Sequence, residues 1–251
     1  MKKIENISYG TLDEQVLEIF LPDTEESFPV FVYFHGGGLD HGSYRGFENL
    51  AKTLTKRGIA IVSAEYRKYP TAKYPDFIED AALAVKWTVD NISSYGNAGK
   101  IYVGGSSAGG YLSMMLCFDV KYLENAGVEY DAVAGYFHDA GQPTSHLNIL
   151  REKGIDPRRI IVDETAPLFY VGLRDNYPPM HFVVSDKDIV NRYEQTMLMI
   201  STLSHFGFRK QTVSYTLMHG GHCEYVKTLD DNGENVLGLM VADFIKEKSN
   251  L

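Results

Sequence analysis

The sequence has little of what several protein classes require. Its two cysteines, Cys117 and Cys223, are too few for a disulfide scaffold, and Cys117 reads as a small buried hydrophobe within a helix. No apolar run approaches the roughly 18 residues of a membrane span. The opening Met1-Lys2-Lys3-Ile4-Glu5-Asn6 lacks the apolar core of a secretory leader, so a cytoplasmic location is expected. Lys and Arg total 24 against 33 Asp and Glu, a formal charge of −9, and neither nucleic acid nor an anionic membrane is an expected partner. The eight histidines form no His-Glu-x-x-His or comparable cluster, so no metal site and no other cofactor is expected. Internal repeats, low-complexity tracts and linkers are also missing.

What is present suits one α/β domain. A chain of 251 residues with 44% hydrophobic content can bury one large core. Strand-like and helical patterns alternate in the βαβα manner of a mostly parallel sheet with helices on both faces. Strands are predicted over residues 15–21, 30–34, 59–64, 101–103, 132–137, 181–184 and 212–217. Phe47, Leu50, Ala51 and Leu54 recur at helical spacing before Gly58, and Phe77, Ala81, Ala84, Val85 and Thr88 mark a second helix. Residues 192–206 read as a third, and Leu237, Met240, Val241, Phe244 and Ile245 mark a terminal one. Residues 138–179 interrupt the alternation with a short helical piece at 145–153 and a proline-bearing stretch at 165–179.

Chemistry concentrates in two glycine-rich turns. Gly105-Ser106-Ser107-Ala108-Gly109-Gly110 follows the strand-like Lys100-Ile101-Tyr102-Val103. A Gly-x-Ser-x-Gly run between strand and helix describes a strained turn that lifts the serine hydroxyl above the sheet edge, which makes Ser107 the candidate nucleophile. The amide of Ala108, at the start of the following helix, then faces any oxyanion that forms on the attacked carbonyl. His35-Gly36-Gly37-Gly38 follows the apolar run Val30-Phe31-Val32-Tyr33-Phe34, and its glycines let backbone amides approach a substrate closely.

A serine hydroxyl needs a histidine base, and the histidine needs an acid to fix its tautomer. Of the histidines far enough downstream, His205 falls in a helical run and is structural, leaving His219 and His222. Asp186 and Asp188, at the end of a strand-like run, are the candidate acids.

The two turns together resemble the α/β-hydrolase superfamily, and within it the hormone-sensitive-lipase-like carboxylesterases. Glu65-Tyr66-Arg67-Lys68-Tyr69-Pro70, Tyr74-Pro75 and Glu79-Asp80 extend the resemblance, which covers most of the chain from the His35 strand onward. Ser106 stands where such proteins usually carry Asp or Glu, and Leu39 where they carry Trp or Phe. The resemblance implies an α/β-hydrolase fold with a mostly parallel sheet, Gly37 and Gly38 as oxyanion donors beside Ala108, Asp188 as the acid and His222 as the base. It also implies a small lid at about residues 138–179, while the short run before the His35 strand is not expected to supply an N-terminal cap.

The expected activity is hydrolysis of small esters through an acyl-enzyme, with a preference for short, acetyl-like acyl groups. Leu39, His41, Phe137 and His138 are expected around the substrate. An acylaminopeptidase-like peptidase or an acyltransferase shares the same machinery, and a ligand-binding protein on the same scaffold is the non-enzymatic alternative.

Overall fold

The computed structural model of the protein describes residues 1–208 and 212–249. Its strands are β1 (Lys2–Ser8), β2 (Val16–Leu21), β3 (Phe28–Phe34), β4 (Ala60–Ala64), β5 (Ala98–Ser106), β6 (Val133–Asp139), β7 (Met180–Lys187) and β8 (Val213–Gly221). The helices are α1 (Glu48–Thr55), α2 (Asp76–Asn91), α3 (Ala108–Phe118), α4 (Lys121–Asn125), α5 (Leu147–Glu152), α6 (Arg192–His205) and α7 (Val236–Ser249). The strands form one sheet in the order β1-β2-β4-β3-β5-β6-β7-β8. Pairing is antiparallel for β1 with β2 and for β2 with β4, and parallel from β4 onward.

Central strands are apolar on both faces because both are covered. In β3, Val30, Val32 and Phe34 enter one core with residues of α2, α3 and α6, whereas Phe31 and Tyr33 enter a second core with α1 and α7. α3 is buried along its whole length. Strands β3 and β5 therefore end in the middle of the molecule, and the two glycine-rich turns emerge side by side from their C-terminal ends.

Sequence and structure differ most at the margins. β1 has an exposed, polar pattern, Lys-Lys-Ile-Glu-Asn-Ile-Ser, and was not expected as a strand because hydrophobic alternation is the signal such edge strands lack. β5 runs through Gly104 and Gly105 to Ser106, well past the expected end at Val103, because pairing with β3 and β6 continues through the glycines. Residues 140–179 carry α5 and a short 3₁₀ turn at Pro167–Tyr170. This segment lies against α3: Tyr111 donates its hydroxyl to the Thr165 carbonyl at 2.7 Å. Among the described residues no helix is long and apolar enough to cross a membrane.

Candidate active site

Ser107 stands alone between β5 and α3 with φ 56° and ψ −111°. A residue with a Cβ holds such a backbone at a cost of about 1–3 kcal/mol, so its surroundings must fix it. Its amide donates to the Asp139 carbonyl at 2.8 Å, and its carbonyl accepts from the Tyr111 amide at 3.0 Å. A Cβ on Gly105 would lie 2.5 Å from the Phe34 carbonyl oxygen, and one on Gly109 would overlap the same atom, so the turn closes only with glycine on both sides.

His222 follows the end of β8 and bridges two side chains. Its Nε2 lies 2.8 Å from Ser107 Oγ and its Nδ1 lies 2.6 Å from Asp188 Oδ1. Asp188 follows the end of β7, where it also accepts from the amides of Ile189 at 2.8 Å and Ser185 at 3.3 Å. Burial raises the affinity of Asp188 for its proton, but the hydrogen bond and charge of His222 and these two amides outweigh it, holding the carboxyl below the usual range. Asp186 and His219 pair with each other instead, Oδ2 to Nδ1 at 2.8 Å, and Asp186 also accepts from the Gly220 amide.

The His35 loop curls over Ser107. Gly37 and Gly38 adopt φ of 123° and 62°, and among the described residues their amides, like that of Ala108, donate to no protein acceptor. Such unpaired amides at a turn and a helix start are ready donors for an anion. Beneath the loop, His35 binds Glu65 Oε1 through Nε2 at 2.7 Å and stacks on Tyr66 with ring centroids 4.5 Å apart. From the 140–179 segment, the fully buried Asn148 donates its side-chain amide to the Gly38 carbonyl and accepts from Arg151 at 2.7 Å.

A second carboxyl lies under the elbow. The register of β5 and β6 sets Ser106 beside Asp139. Ser106 donates to Asp139 Oδ2 at 2.5 Å, Tyr225 donates to Oδ1, and Tyr33 donates to Ser106 Oγ at 3.0 Å. Complete burial pushes the Asp139 carboxyl up to about 6, against the opposing pull of Ser106, Tyr225 and His222. Cys223 Sγ lies 3.7 Å from His222 Nε2, and burial pushes its thiol well above the usual value, so it is not a thiolate. Among the described residues no His, Cys, Asp and Glu group has the arrangement to hold a metal ion.

Ser107 and His222 line a cleft of about 840 Å³, with the His35 loop on one wall and Phe47, Ile189 and Val226 as its main apolar surfaces. His41, one of the four residues expected around the substrate, lines it. Three other expected contacts do not. Leu39 turns its side chain fully into the core while its carbonyl accepts from the Tyr69 amide. Phe137 stacks on His181 and packs edge-on against Phe31 and Phe244 in the core. His138 is buried against Tyr136, Phe118 and Phe182 with Nδ1 on Ser113 Oγ at 2.9 Å, and burial lowers it to about 3, so it stays neutral. Phe137 and His138 lie within β6, where side chains still pack into the core, and Leu39 sits at a left-handed position (φ 67°) with its side chain buried, which is why these readings failed. Asn148, Ile189 and Val226 carry no sequence signal; only the fold brings them to the site.

A family model described as BD-FAE matches residues 17–136, which hold both glycine-rich turns but neither Asp188 nor His222. A carboxylesterase of Mycobacterium tuberculosis is 34% identical over 109 residues, covering 43% of this chain and 34% of that protein. The chain spans about a third of the length of the first of these curated relatives and 58% of another, an esterase of Mycobacterium tuberculosis at 25% identity. Among solved structures, a truncated carbohydrate esterase from gut microbiota shares the fold, with a TM-score of 0.78 at 19% identity over 100% of this chain and 97% of that one. A propionate-bound thermophilic esterase of Thermogutta terrifontis matches with a TM-score of 0.76 at 22% identity, over 97% and 93% of the two chains. The chain has the α/β-hydrolase fold of these solved esterases, and its first half is similar in sequence to carboxylesterases.

Proposed function

We propose that the protein is a serine hydrolase that cleaves small carboxylic esters through an acyl-enzyme, with a preference for short, acetyl-like acyl groups. The observation that carries this reading is the unbroken hydrogen-bond relay from Ser107 through His222 to Asp188, set beneath three unpaired backbone amides. In the reaction, His222 Nε2 takes the Ser107 proton as Oγ bonds to the ester carbonyl carbon. The carbonyl π pair moves onto oxygen, and that oxyanion accepts hydrogen bonds from Gly37, Gly38 and Ala108. Asp188 stabilises the imidazolium. When the intermediate collapses, the bond to the alcohol oxygen breaks and His222 gives its proton to the departing alcohol. Water then attacks the acyl-serine by the same steps, releasing the carboxylic acid and restoring Ser107.

The preference for short acyl groups follows from the walls. A long chain gains about 0.8 kcal/mol per methylene only where apolar surface removes it from water. Beside Ser107 the wall is the glycine run Gly36 to Gly38, which has no side chains to provide that surface. The propionate held by the structural relative from Thermogutta is in keeping with this size. Residues 140–179 act in this reading as a fixed lid, anchored to α3 and to the Gly38 carbonyl.

The decisive experiment is turnover of 4-nitrophenyl acetate by Ser107→Ala and Ser106→Ala. Ser107→Ala is expected to lose several orders of magnitude in kcat while remaining folded. Near-parent activity of Ser107→Ala would overturn the assignment. For chain length, kcat/KM is expected to be higher for acetyl to butyryl esters than for decanoyl; rising efficiency toward decanoyl would contradict the small acyl site.

A further inference from the structure

A second cavity, of about 410 Å³, opens between α6 and the 140–179 segment, and its charge is out of keeping with the rest of the chain. Arg158, Arg159 and Arg192 line it together with Gln142 and Gln195, and no Asp or Glu does, although the chain as a whole carries a formal charge of −9. Ile189 lines both this cavity and the Ser107 cleft, so the two adjoin at the residue after Asp188.

The three arginines are not equivalent. Arg158 is held by Asp156 at 2.5 Å on the exposed rim. Arg159 is exposed, and its guanidinium makes no hydrogen bond or ion pair among the described residues. Arg192 is only 4% exposed, and its hydrogen-bond partners among the described residues are neutral: the Ala140 carbonyl, and Gln142 Oε1 at 3.4 Å. Gln195 is also buried and uses Oε1 to accept from Thr144 at 2.9 Å, which leaves its amide nitrogen unengaged among the described residues. Burying a cation is unfavourable, and the charge of Asp188, which is hydrogen-bonded to His222 and not to Arg192, offsets only part of that cost; a bound carboxylate relieves the rest while matching the planar, two-pronged donor geometry of arginine.

We infer that this cavity is a subsite for a carboxylate carried by the ester substrate, held by Arg192 and Arg159. The inference rests on the ester-hydrolase reading and adds to it the substrate class, an ester that bears a free carboxylate near the scissile bond. The carboxylate belongs either to the acyl half or to the alcohol half, and matched substrates separate these.

On the acyl side the pair is 4-nitrophenyl pentanoate and 4-nitrophenyl hydrogen glutarate; on the alcohol side it is phenyl acetate and 4-acetoxybenzoate. In one of the two pairs the anionic ester is expected to have a kcat/KM about tenfold above its neutral partner. That ratio is expected to fall several-fold in Arg159→Gln, an exposed position where folding is not at stake, and further in Arg192→Gln. Calorimetric titration with glutarate reads the cavity without turnover, with binding expected to weaken at least about fivefold in Arg159→Gln. A protein that binds glutarate in this Arg159-dependent way yet hydrolyses none of the four esters would refute the hydrolase reading and keep the anion site. No preference for the anionic ester in either pair, or glutarate binding that is absent or unchanged in Arg159→Gln, would overturn the subsite.

Discussion

The ends of β7 and β8 carry two Asp–His pairs of nearly equal length set in opposite surroundings. Asp188 and His222 lie 2.6 Å apart with side chains 1% and 23% exposed, whereas Asp186 and His219 lie 2.8 Å apart with side chains 32% and 91% exposed. Distance does not distinguish them. The exposed pair competes with water and is screened by salt, so it contributes little beyond ordering its own loop. The buried pair is shielded, and the far nitrogen of its histidine meets Ser107. Two adjacent strand ends here each yield a hydrogen-bonded Asp–His pair, and only the buried one has a serine within reach of its second nitrogen, on which the proposed chemistry rests.

Removing the charge of the buried pair breaks that comparison most severely. Asp188→Asn keeps the shape but withdraws the anion that steadies the imidazolium, and a fall in kcat on the order of 10⁴ is expected. Steady-state kinetics beside unfolding midpoints separates this from loss of fold.

The next effect concerns the other buried acid, Asp139. Its pKa in the folded protein, about 6, lies above the roughly 3.9 of an unfolded aspartate. It therefore contributes stability that is complete below about pH 4 and lost as pH rises through about 6. The difference of about two pKa units corresponds to something on the order of 3 kcal/mol. Urea unfolding at pH 4 and pH 7.5 is expected to show Asp139→Asn gaining on the parent as pH rises, and a constant difference between the two would contradict the assigned burial.

A smaller loss is expected at Asn148, whose buried side chain fixes the Gly38 carbonyl. Asn148→Ala should lower kcat on the order of tenfold with little change in KM, because a misdirected loop weakens binding of the transition state more than of the ester. A change in KM alone would make Asn148 a substrate contact instead. The smallest effects belong to the exposed pair. Asp186→Asn and His219→Gln are expected to stay within about threefold of the parent kcat, and a severe loss confined to either would move the chemistry to that pair.

Local chemistry made half of this site readable in the sequence. Gly105, Gly109 and the Gly36 to Gly38 run announce turns that only glycine permits, and Ser107 is fixed by its place between them. The proposed acid and base lie far along the chain, where Asp186 and Asp188, or His219 and His222, are equally plausible by spacing and separate in the sequence only through the family resemblance. The sheet was legible where strands are apolar on both faces, as in β3, and illegible at β1, whose polar edge has no hydrophobic pattern. Phe137 and His138 were misplaced because closeness to a strand end in sequence does not say whether a side chain clears the core. Asn148 and Arg192 gave no sign, since their partners at Gly38 and Gln142 are met only after folding.

The central claim is that Ser107 is the activated nucleophile, and labelling with a fluorophosphonate followed by mapping of the modified peptide tests it most directly. The account predicts one covalent phosphonyl adduct on Ser107, lost in Ser107→Ala and strongly slowed in His222→Ala. An adduct on Ser106, or labelling that survives in Ser107→Ala, would contradict it.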